Sequence, residues 1–352
     1  MPHLQNLLKT QIGWLNSKGK SCEGILSSSI PMARNLANGK FTHASNPKEL
    51  NAVKAQLFTA AKRCKSLNGA AYIAIDGIEA LDRRFLVERH LISADLIART
   101  QERALIVAHE ETTSIMINEE DHVRLQVIMP GMAAAQALET AVTMDEEIAS
   151  AAPYACRPDF GYLTTCPTNV GTGLRVSCLV HLPGLVQTKN ISKILQELSR
   201  IGFVARGFYG EGSKAFGNLF QISNATSLGR PESEYVHMMT GIMSSMLSNE
   251  DATRDEMVKE MGRLRFEDRV GRALGTLGHA QLLSYEEAME EISWLRLGLT
   301  REVKLEGVTL GKLNDLLINA QPAHIEMSIG HEAPPIKRDE LRAALSRKTL
   351  HA

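Results

Sequence analysis

Apolar residues recur at two different spacings along this chain of 352 residues. Helical spacing predicts amphipathic helices over Leu4–Leu15 and Lys48–Leu67, and the Ala-, Met- and Glu-rich segment Met132–Ala152 predicts a longer one. Between residues 104 and 129, short β-rich runs are separated by polar turns, which predicts an antiparallel meander. The three runs are Ala104–Val107, Ser114–Asn118 and Val123–Met129.

Strand patterns return after Pro158. Apolar and polar residues alternate from Leu174 to Leu182, so that one face of this strand is apolar and the other carries Arg175 and Ser177. We therefore expect an α+β fold in which helices flank a mainly antiparallel sheet. The further elements that the pattern predicts here are a helix over Ile191–Ile201 and strands over Phe203–Gly207 and Leu219–Ser223.

From Pro231 onward the pattern is almost wholly helical. We place a domain boundary near residue 250, between an α+β domain (1–250) and an all-helical C-terminal domain (251–352), because the chain is too long for one ordinary core. The predicted helices are Glu232–Ser248, Ala252–Leu274, Ser284–Leu299, Leu310–Asn319 and Arg338–Arg347, with a loop at Ser328–Lys337.

Composition weakens several classes of function. The formal net charge of −1 and the pI of about 6.8 provide no basic field, so we do not expect direct nucleic-acid binding. The N-terminus does not resemble a signal peptide, and no apolar run approaches the roughly 18 residues of a membrane span. The five cysteines include no CxxC pair, which favours neither a disulfide framework nor a zinc site. We expect a reduced, cytoplasmic protein.

The segment NEEDHVR at 118–124 lies between two predicted strands and holds three adjacent acids, Glu119, Glu120 and Asp121. A solvated acidic hairpin is the common explanation of such a cluster. The alternative is a carboxylate that accepts a proton or orients a cation, with Arg124 directed at an anion. The residues alone leave both explanations open.

Two glycine-rich segments follow, CPTNVGTGLR at 166–175 and RGFYGEGS at 206–213. Backbone amides of the first can form an anion-binding nest beside Arg175, although the segment is not a P-loop because the GxxxxGK[ST] lysine is missing. The four glycines in and after the second suggest a loop that closes over a substrate. A plain hairpin and a plain surface loop are the alternatives.

Taken in order, NEEDHxR, CPTNxGTGLR and RGxYGEGxxxxGNxxQISN resemble the ATP:guanidino phosphotransferases, the family of creatine kinase and arginine kinase. The resemblance runs from about Ile25 to the C-terminus. Within the family it is closest to the bacterial group that phosphorylates arginine side chains in proteins. SSSIPMARN near residue 30, LVERHLIS at 86–93 and RDELRA at 338–343 also resemble segments of that group.

The resemblance implies a role for each matching residue. Glu120 would be the catalytic base and Asp121 would help to bind the arginine. Arg124, Arg175 and Arg206 would bind the nucleotide phosphates. The other nucleotide contacts that it implies are Ser27, Ser28, His90, Val176, Ser177, Gly207, Tyr209, Gly210 and Glu211.

The same resemblance implies ATP and Mg²⁺, with the ion held by phosphates and not by protein side chains. It places Cys166 in a substrate loop. It implies partners as well: protein substrates with exposed arginines, a Clp-type unfoldase or protease, a zinc-binding activator protein and a second copy of the chain in a homodimer. In the C-terminal part it implies a phosphoarginine pocket lined by Arg338, Asp339, Arg342 and Ala343, for which an ordinary charged helix start is the alternative.

Two departures from the family pattern bear on function. Ser29 and Pro31 stand where the family has phosphate-binding arginines, and Arg34 lies at a different position. A lost charge-assisted hydrogen bond costs roughly 1.5–3 kcal/mol, so two losses would weaken ATP binding by about two to four orders of magnitude unless other groups replace them. Lys214 stands where kinases of free arginine have a glutamate, and a lysine there would repel a guanidinium.

We weigh three functions against these observations. The leading one is a protein arginine kinase that marks proteins for Clp-type proteolysis, with either full or reduced activity. The alternative is a catalytically impaired, kinase-like adaptor that binds phosphoarginine, which the replacements at Ser29 and Pro31 would favour. The third is a kinase of small guanidines, against which Lys214 argues. The survival of Glu120 with its three arginines favours the enzyme.

Overall fold

An eight-stranded sheet organises the first two thirds of the chain in a computed structural model that describes residues 7, 12–15, 23–108, 110–207 and 215–351. The described strands are β1 Ile25–Arg34, β2 Ala71–Ala74, β3 Ala104–Ala108, β4 Thr113–Ile117, β5 Val123–Pro130, β6 Cys156–Arg157, β7 Gly161–Tyr162, β8 Ser177–His181, β9 Phe203–Arg206 and β10 Leu219–Asn224. The sheet order is β2-β3-β4-β5-β1-β8-β10-β9, every neighbouring pair is antiparallel, and β6 and β7 form a separate ribbon.

Helices cover this sheet and make up the rest of the described chain. They are α1 Pro47–Ala61, α2 Ala80–Glu88, α3 Ala94–Ala98, α4 Ala134–Ala151, α5 Pro183–Gln187, α6 Ile191–Arg200, α7 Glu232–Met261, α8 Arg263–His279, α9 Tyr285–Thr300, α10 Leu310–Asn319, α11 Pro322–Ile329 and α12 Pro335–His351. Among these described helices, none combines the length and the apolar character that crossing a membrane requires. The α+β class, the antiparallel sheet and the helical C-terminal region are confirmed.

The central strand β1 is the longest strand among the elements that the sequence pattern did not predict, which also include β2, β6, β7, α2, α3, α5 and α11. Its serines and Pro31 hide the alternation, and proline is usually excluded from central strands because it cannot donate to the ladder. Regular pairing with β8 ends at Ser29, and beyond that point the Arg175 N–H donates to the Pro31 carbonyl at 2.9 Å. The missing N–H of Pro31 therefore interrupts the regular ladder there, but the chain before β8 stays in register, since Met32 bridges Leu174 and the Ala33 N–H donates to the Gly173 carbonyl at 2.9 Å.

The two faces of the sheet differ in character. Cross-strand partners share a face, and the register pairs Ser29 with Ser177, Ala33 with Arg124 and Gln221 with Arg206. This polar face carries the candidate site. The opposite face is apolar and packs against helices that include α4 and α7.

One end of the polar face is covered by the C-terminal helices. Leu26, Ile128, Leu179 and Leu219 belong to the same buried cluster as apolar residues of α8, α9 and α10. The arginines of β5 and of the segment before β8 lie toward the other end of the face. The helical region therefore closes one side of the site.

Helix α7 corrects the prediction of two helices separated near residue 250. The helix continues to Met261, and the break comes at Gly262, whose φ is 82°. The chain stays helical at the predicted break because Glu250 and Arg254 form a buried ion pair inside α7, and both also bond to backbone groups of residues 181–185. The division into domains at residue 250 stays a prediction. The predicted loop at Ser328–Lys337 is shorter in the structure, because α11 extends to Ile329 and α12 begins at Pro335. The predicted helix Leu4–Leu15 lies mostly outside the described residues.

Candidate active site

A tight turn between β4 and β5 places the three acids at the end of the hairpin. Asn118 adopts φ 57°, a left-handed conformation that asparagine tolerates better than most residues, and its N–H donates to the His122 carbonyl at 3.0 Å. The Asn118 side chain donates to two further carbonyls, those of Leu50 and Glu102. The turn is therefore fixed by the protein and is not a freely solvated loop.

Glu119 is buried, with 3% of its surface exposed. Its Oε1 accepts hydrogen bonds from Arg124 Nη1 at 2.9 Å and from the Ser93 hydroxyl, and its Oε2 accepts one from the Glu120 N–H at 3.2 Å. Burial alone would raise the pKa of Glu119, but the Arg124 charge and these hydrogen bonds outweigh it and lower the pKa. Glu119 is thus a fixed anion whose oxygens are used within the protein.

Glu120 has the opposite surroundings. Its side chain is exposed, and partial desolvation, followed by the charges of Asp121 and Glu119, raises its pKa. A carboxylate that is open to a substrate and has a raised pKa is a suitable proton acceptor near neutral pH.

Asp121 is buried, with 2% of its surface exposed. Its Oδ1 accepts hydrogen bonds from Asn35 Nδ2 at 2.6 Å and from the Thr165 N–H at 2.7 Å. Thr165 also donates its hydroxyl to the Glu120 carbonyl at 3.1 Å. Asp121 therefore ties the acidic turn at 118–122 to the segment that leads to Cys166, and its contact with a substrate arginine stays a prediction.

The three predicted phosphate-binding arginines come from separate strands or loops. Arg124 lies in β5, and Glu119 raises its pKa. Arg175 donates Nε to Asn169 Oδ1 at 3.2 Å and Nη2 to the Thr168 hydroxyl at 3.1 Å, so the CPTN segment orients it. Arg206 ends β9 on the same sheet face as Arg124. The structure places all three cations on one face of the sheet. Arg124 lies next to the turn that holds Glu120, whereas Arg206 lies four strands away in the sheet order.

Neutral hydrogen-bonding groups lie between these arginines. Ser29 and Ser177 share a hydrogen bond of 2.6 Å between their hydroxyl oxygens, and Gln221 Nε2 donates to the Ser177 hydroxyl at 3.1 Å. Ser27 lies two residues before Ser29 on the same face, opposite Leu179. Ser29, which stands where the resemblance implies an arginine, thus offers a hydroxyl that is bonded to the Ser177 hydroxyl.

Other predicted nucleotide contacts direct their side chains elsewhere. The Ser28 hydroxyl donates to the Gly131 carbonyl at 2.7 Å and accepts from the Ala133 N–H, on the apolar face. Val176 is fully buried in the core, and its N–H donates to Asn224 Oδ1. Only backbone groups of these two residues could reach the arginine-bearing face.

Arg34 does not replace the missing arginines. Its Nε and Nη2 donate to Asp145 Oδ2 at 3.0 and 2.8 Å, and its guanidinium stacks on the Tyr162 ring at 3.7 Å. It is 1% exposed. Its charge is used in the core beneath the sheet.

His90 has a left-handed backbone, with φ 59°, and its ring packs edge-on against Trp14. Burial, with a smaller contribution from His324, lowers the pKa of His90 to about 4. The ring is therefore neutral at physiological pH. Its contact with a nucleotide stays a prediction.

The second glycine-rich segment is only partly described. Gly207 is buried directly after β9, whereas Tyr209, Gly210, Glu211 and Lys214 lie outside the described residues. In the first segment, Cys166 is a free thiol whose Sγ lies 3.0 Å from the Thr168 hydroxyl.

The RDELRA motif lies in α12, and its members differ in exposure. Arg342 is 1% exposed and donates to the carbonyls of Ala320 and Leu283 and to Asp339 Oδ1. Burial lowers the pKa of Arg342. Ala343 is buried beside it. Arg338 is the more accessible cation, and it pairs with the buried Glu326 at 3.0 Å.

The sequence interpretation assigned no structural role to two residues that hold the acidic turn at 118–122. Ser93 and Glu119 hold the turn through their side chains, as described above. The charge cluster pointed to Glu119 only as one of three acids, and nothing in the pattern indicated which acid is buried. Ser93 lies 26 residues away in sequence, so only the tertiary structure pairs them.

This arrangement suits transfer of a phosphoryl group to a cation. One exposed carboxylate with a raised pKa adjoins Arg124, and Arg175 and Arg206 lie on the same sheet face, which is closed at one end.

Comparison with known proteins agrees with this chemistry. Residues 52–253 match the model of the ATP:guanido phosphotransferase C-terminal catalytic domain, and residues 263–352 match that of the protein-arginine kinase McsB C-terminal domain. A protein-arginine kinase of Pelotomaculum thermopropionicum is 39% identical over 95% of this chain and 94% of its own length. One from Halalkalibacterium halodurans is 39% identical over 99% of this chain and 98% of its own length.

Solved structures give the same fold. A duplicated taurocyamine kinase of Schistosoma mansoni, with bound transition-state analogue components, aligns with a TM-score of 0.60 at 25% identity, over 70% of this chain and 35% of that one. A lombricine kinase aligns with a TM-score of 0.57 at 23% identity, over 70% of each chain. On the matched domains and the full-length relatives, this chain belongs to the ATP:guanido phosphotransferase family, whose substrate is ATP.

Proposed function

We propose that the chain is a protein arginine kinase that transfers the γ-phosphoryl group of ATP to arginine side chains of other proteins. The observation that carries the proposal is Glu120, an exposed carboxylate with a raised pKa next to Arg124, at the end of a sheet whose same face also carries Arg175 and Arg206. The full-length relatives named protein-arginine kinase support the choice of acceptor.

In the proposed reaction, a guanidino nitrogen of the substrate forms a bond to the γ-phosphorus as the bond to the β-phosphate oxygen breaks, and ADP leaves. A guanidinium is permanently charged and a poor nucleophile, so a proton must leave as the N–P bond forms. Glu120 accepts that proton. Arg124, Arg175 and Arg206 bind the phosphates and stabilise the charge that develops on them.

We place Mg²⁺ on the nucleotide phosphates, where it would neutralise charge on the transferring group. The carboxylates at the turn do not offer a ready ligand set: Glu119 and Asp121 accept hydrogen bonds from protein donors. An ion at this site would therefore take its ligands from phosphate and water.

The direct test is incubation with Mg·ATP and an arginine-rich protein, followed by detection of acid-labile phosphoarginine. Wild-type protein should form it, and Glu120→Gln should not while still binding nucleotide. Retention of wild-type rates by Glu120→Gln would reject the role of Glu120. Phosphorylation of free arginine in place of protein would reject the proposed acceptor.

The adaptor alternative is less favoured, because an adaptor has no need of Glu120 and three arginines together. The phosphoarginine pocket at Arg338 and Asp339, the homodimer, the Clp-type partner, the zinc-binding activator and a cytoplasmic location belong to the same proposal. They rest on the resemblance of the sequence to the bacterial group.

A further inference from the structure

A short segment before β3 holds the catalytic turn from outside the hairpin. Ser93 caps the N-terminus of α3, where its hydroxyl oxygen accepts from the Leu96 N–H at 3.1 Å. The same hydroxyl donates its hydrogen to Glu119 Oε1. One side chain therefore joins the start of α3 to a buried carboxylate of the turn.

A second contact joins the same two segments. Arg103 donates Nη1 to the carbonyls of Asp95 and Leu96 and Nη2 to the Glu119 carbonyl at 3.3 Å. The backbone of α3 and that of the turn are thus held by one guanidinium, which is 8% exposed as a residue. Because Arg103 bonds to the backbone of both segments, the distance between Ser93 and Glu119 is fixed by the backbone and does not depend on one side-chain rotamer.

Glu119 connects this support to two groups that the proposed reaction uses. Its Oε1 receives Arg124 Nη1, and its Oε2 receives the Glu120 N–H. A carboxylate that lost the Ser93 donor could rotate, and rotation would release both Arg124 and the backbone of Glu120.

We propose that Ser93 and Glu119 are positioning residues, which together aim Arg124 at the nucleotide phosphates and fix the backbone that carries the base Glu120. Neither residue touches substrate. This inference rests on the proposed kinase function, and it adds two residues that the matched sequence motifs do not assign.

The test compares Ser93→Ala with Ser93→Thr, which keeps both the helix cap and the hydroxyl donor. Ser93→Ala should lower kcat/KM for ATP about tenfold or more, and Ser93→Thr should restore most of it. Ser284→Ala is the matched control, since Ser284 caps α9 in the same way, with its oxygen accepting from the Glu287 N–H at 3.1 Å. Equal losses of kcat/KM in Ser93→Ala and Ser284→Ala would show that Ser93 acts only as a helix cap, and would overturn the proposal.

A double-mutant cycle separates positioning from general destabilisation. If Ser93 acts through Glu119 on Arg124, then Ser93→Ala should cost less in a protein that already carries Arg124→Ala than in the wild type, and the remainder reports the effect on the Glu120 backbone. Additive losses would overturn the pathway. Glu119→Gln should lower kcat and also move the acid limb of the pH–rate profile to lower pH, because one of the negative charges facing Glu120 is removed while Asp121, Asp95 and Arg124 remain.

Failure of the proposed function would be recognised separately. If the wild type transfers no phosphate to any protein, calorimetry with Mg·ADP still tests positioning. Weaker binding by Ser93→Ala than by Ser93→Thr and Ser284→Ala would support the inference without catalysis. Equal affinities in all three variants would reject it.

Discussion

Glu119 and Glu120 are adjacent in the acidic turn at 118–122, but their surroundings shift their pKa values in opposite directions. Glu119 is buried against Arg124 and Ser93, which lower its pKa. Glu120 is exposed, and partial desolvation and the negative charges of Asp121 and Glu119 raise its pKa. Two chemically identical side chains thus receive different protonation behaviour from one backbone turn. The three acids form neither a uniform solvated cluster nor a set of equivalent bases.

The raised pKa of Glu120 predicts the acid side of the pH–rate profile. The base must be ionised, so activity should be lost as pH falls through the pKa of Glu120. This loss should occur at higher pH than the usual glutamate pKa of about 4.3, since desolvation and then Asp121 and Glu119 raise it. The profile of kcat/KM against pH measures it. An acid limb at or below the ordinary value would contradict the assignment.

Arg124 allows a second prediction at this scale. Its loss removes a charge-assisted contact with phosphate, so Arg124→Ala should weaken Mg·ATP binding about 10- to 150-fold. Arg157→Ala is the control, because its partner Asp159 is exposed and the pair lies on the β6–β7 ribbon. Calorimetry with nucleotide should show unchanged binding in the control. Equal binding in all three proteins would remove Arg124 from the phosphate site.

At the scale of elements, the sequence pattern predicted most strands and helices, because their faces are clearly apolar or polar. The meander β3–β5 and the helices α4, α6 and α10 follow their patterns closely. Strand β1 was missed because its serines serve a buried polar face and Pro31 breaks the alternation. The predicted break inside α7 was wrong because the polar residues at 248–251 resemble a turn, whereas Glu250 and Arg254 are held by buried partners.

The same buried pair predicts a stability effect. Glu250 accepts the N–H groups of Gly184 and Leu185 at the start of α5, and Arg254 donates to the His181 carbonyl at 2.9 Å. Glu250→Ala would leave Arg254 buried and unpaired, so it should lower the free energy of unfolding by about 3–5 kcal/mol.

The measurement is chemical denaturation of the wild type and the variant. Asp268→Ala, which removes the exposed partner of Arg272 on α8, is the matched control and should leave the midpoint nearly unchanged. Equal midpoints for Glu250→Ala and the wild type would show that the pair contributes little to α7.

At the scale of the whole molecule, the C-terminal helix α11 contacts helix α2 of the α+β region. Glu88 of α2 accepts the N–H groups of Ala323 and His324 and lies 2.8 Å from His324 Nδ1. Arg84, one turn earlier, pairs with Glu326, which also holds Arg338 of the RDELRA motif. The sequence motifs LVERHLIS and RDELRA lie at or near this contact, but the sequence did not indicate that the two regions meet, since the contacting residues are more than 230 positions apart.

The proposed phosphoarginine pocket is tested at this same contact. A phosphoarginine needs cations for its phosphoryl group and a carboxylate for its remaining N–H donors. Arg338 is partly exposed, whereas Arg342 is buried and bonded to the carbonyls of Ala320 and Leu283. We therefore expect Arg338→Ala to abolish phosphoarginine binding with little loss of stability, because Arg84 stays paired with the buried Glu326, and Arg342→Ala to lower the melting temperature as well.

Calorimetry with free phosphoarginine, paired with thermal melting of each variant, makes the distinction. Lys337→Ala, beside Arg338 but paired only with the exposed Glu340, should bind phosphoarginine as the wild type does. If Arg338→Ala and the wild type bind equally, or if neither binds, then RDELRA is a structural helix start. Binding by the wild type in a protein that also forms phosphoarginine would join reader and kinase in one chain. Binding of phosphoarginine without any phosphoryl transfer would favour the adaptor, because the chain would then recognise phosphoarginine without forming it.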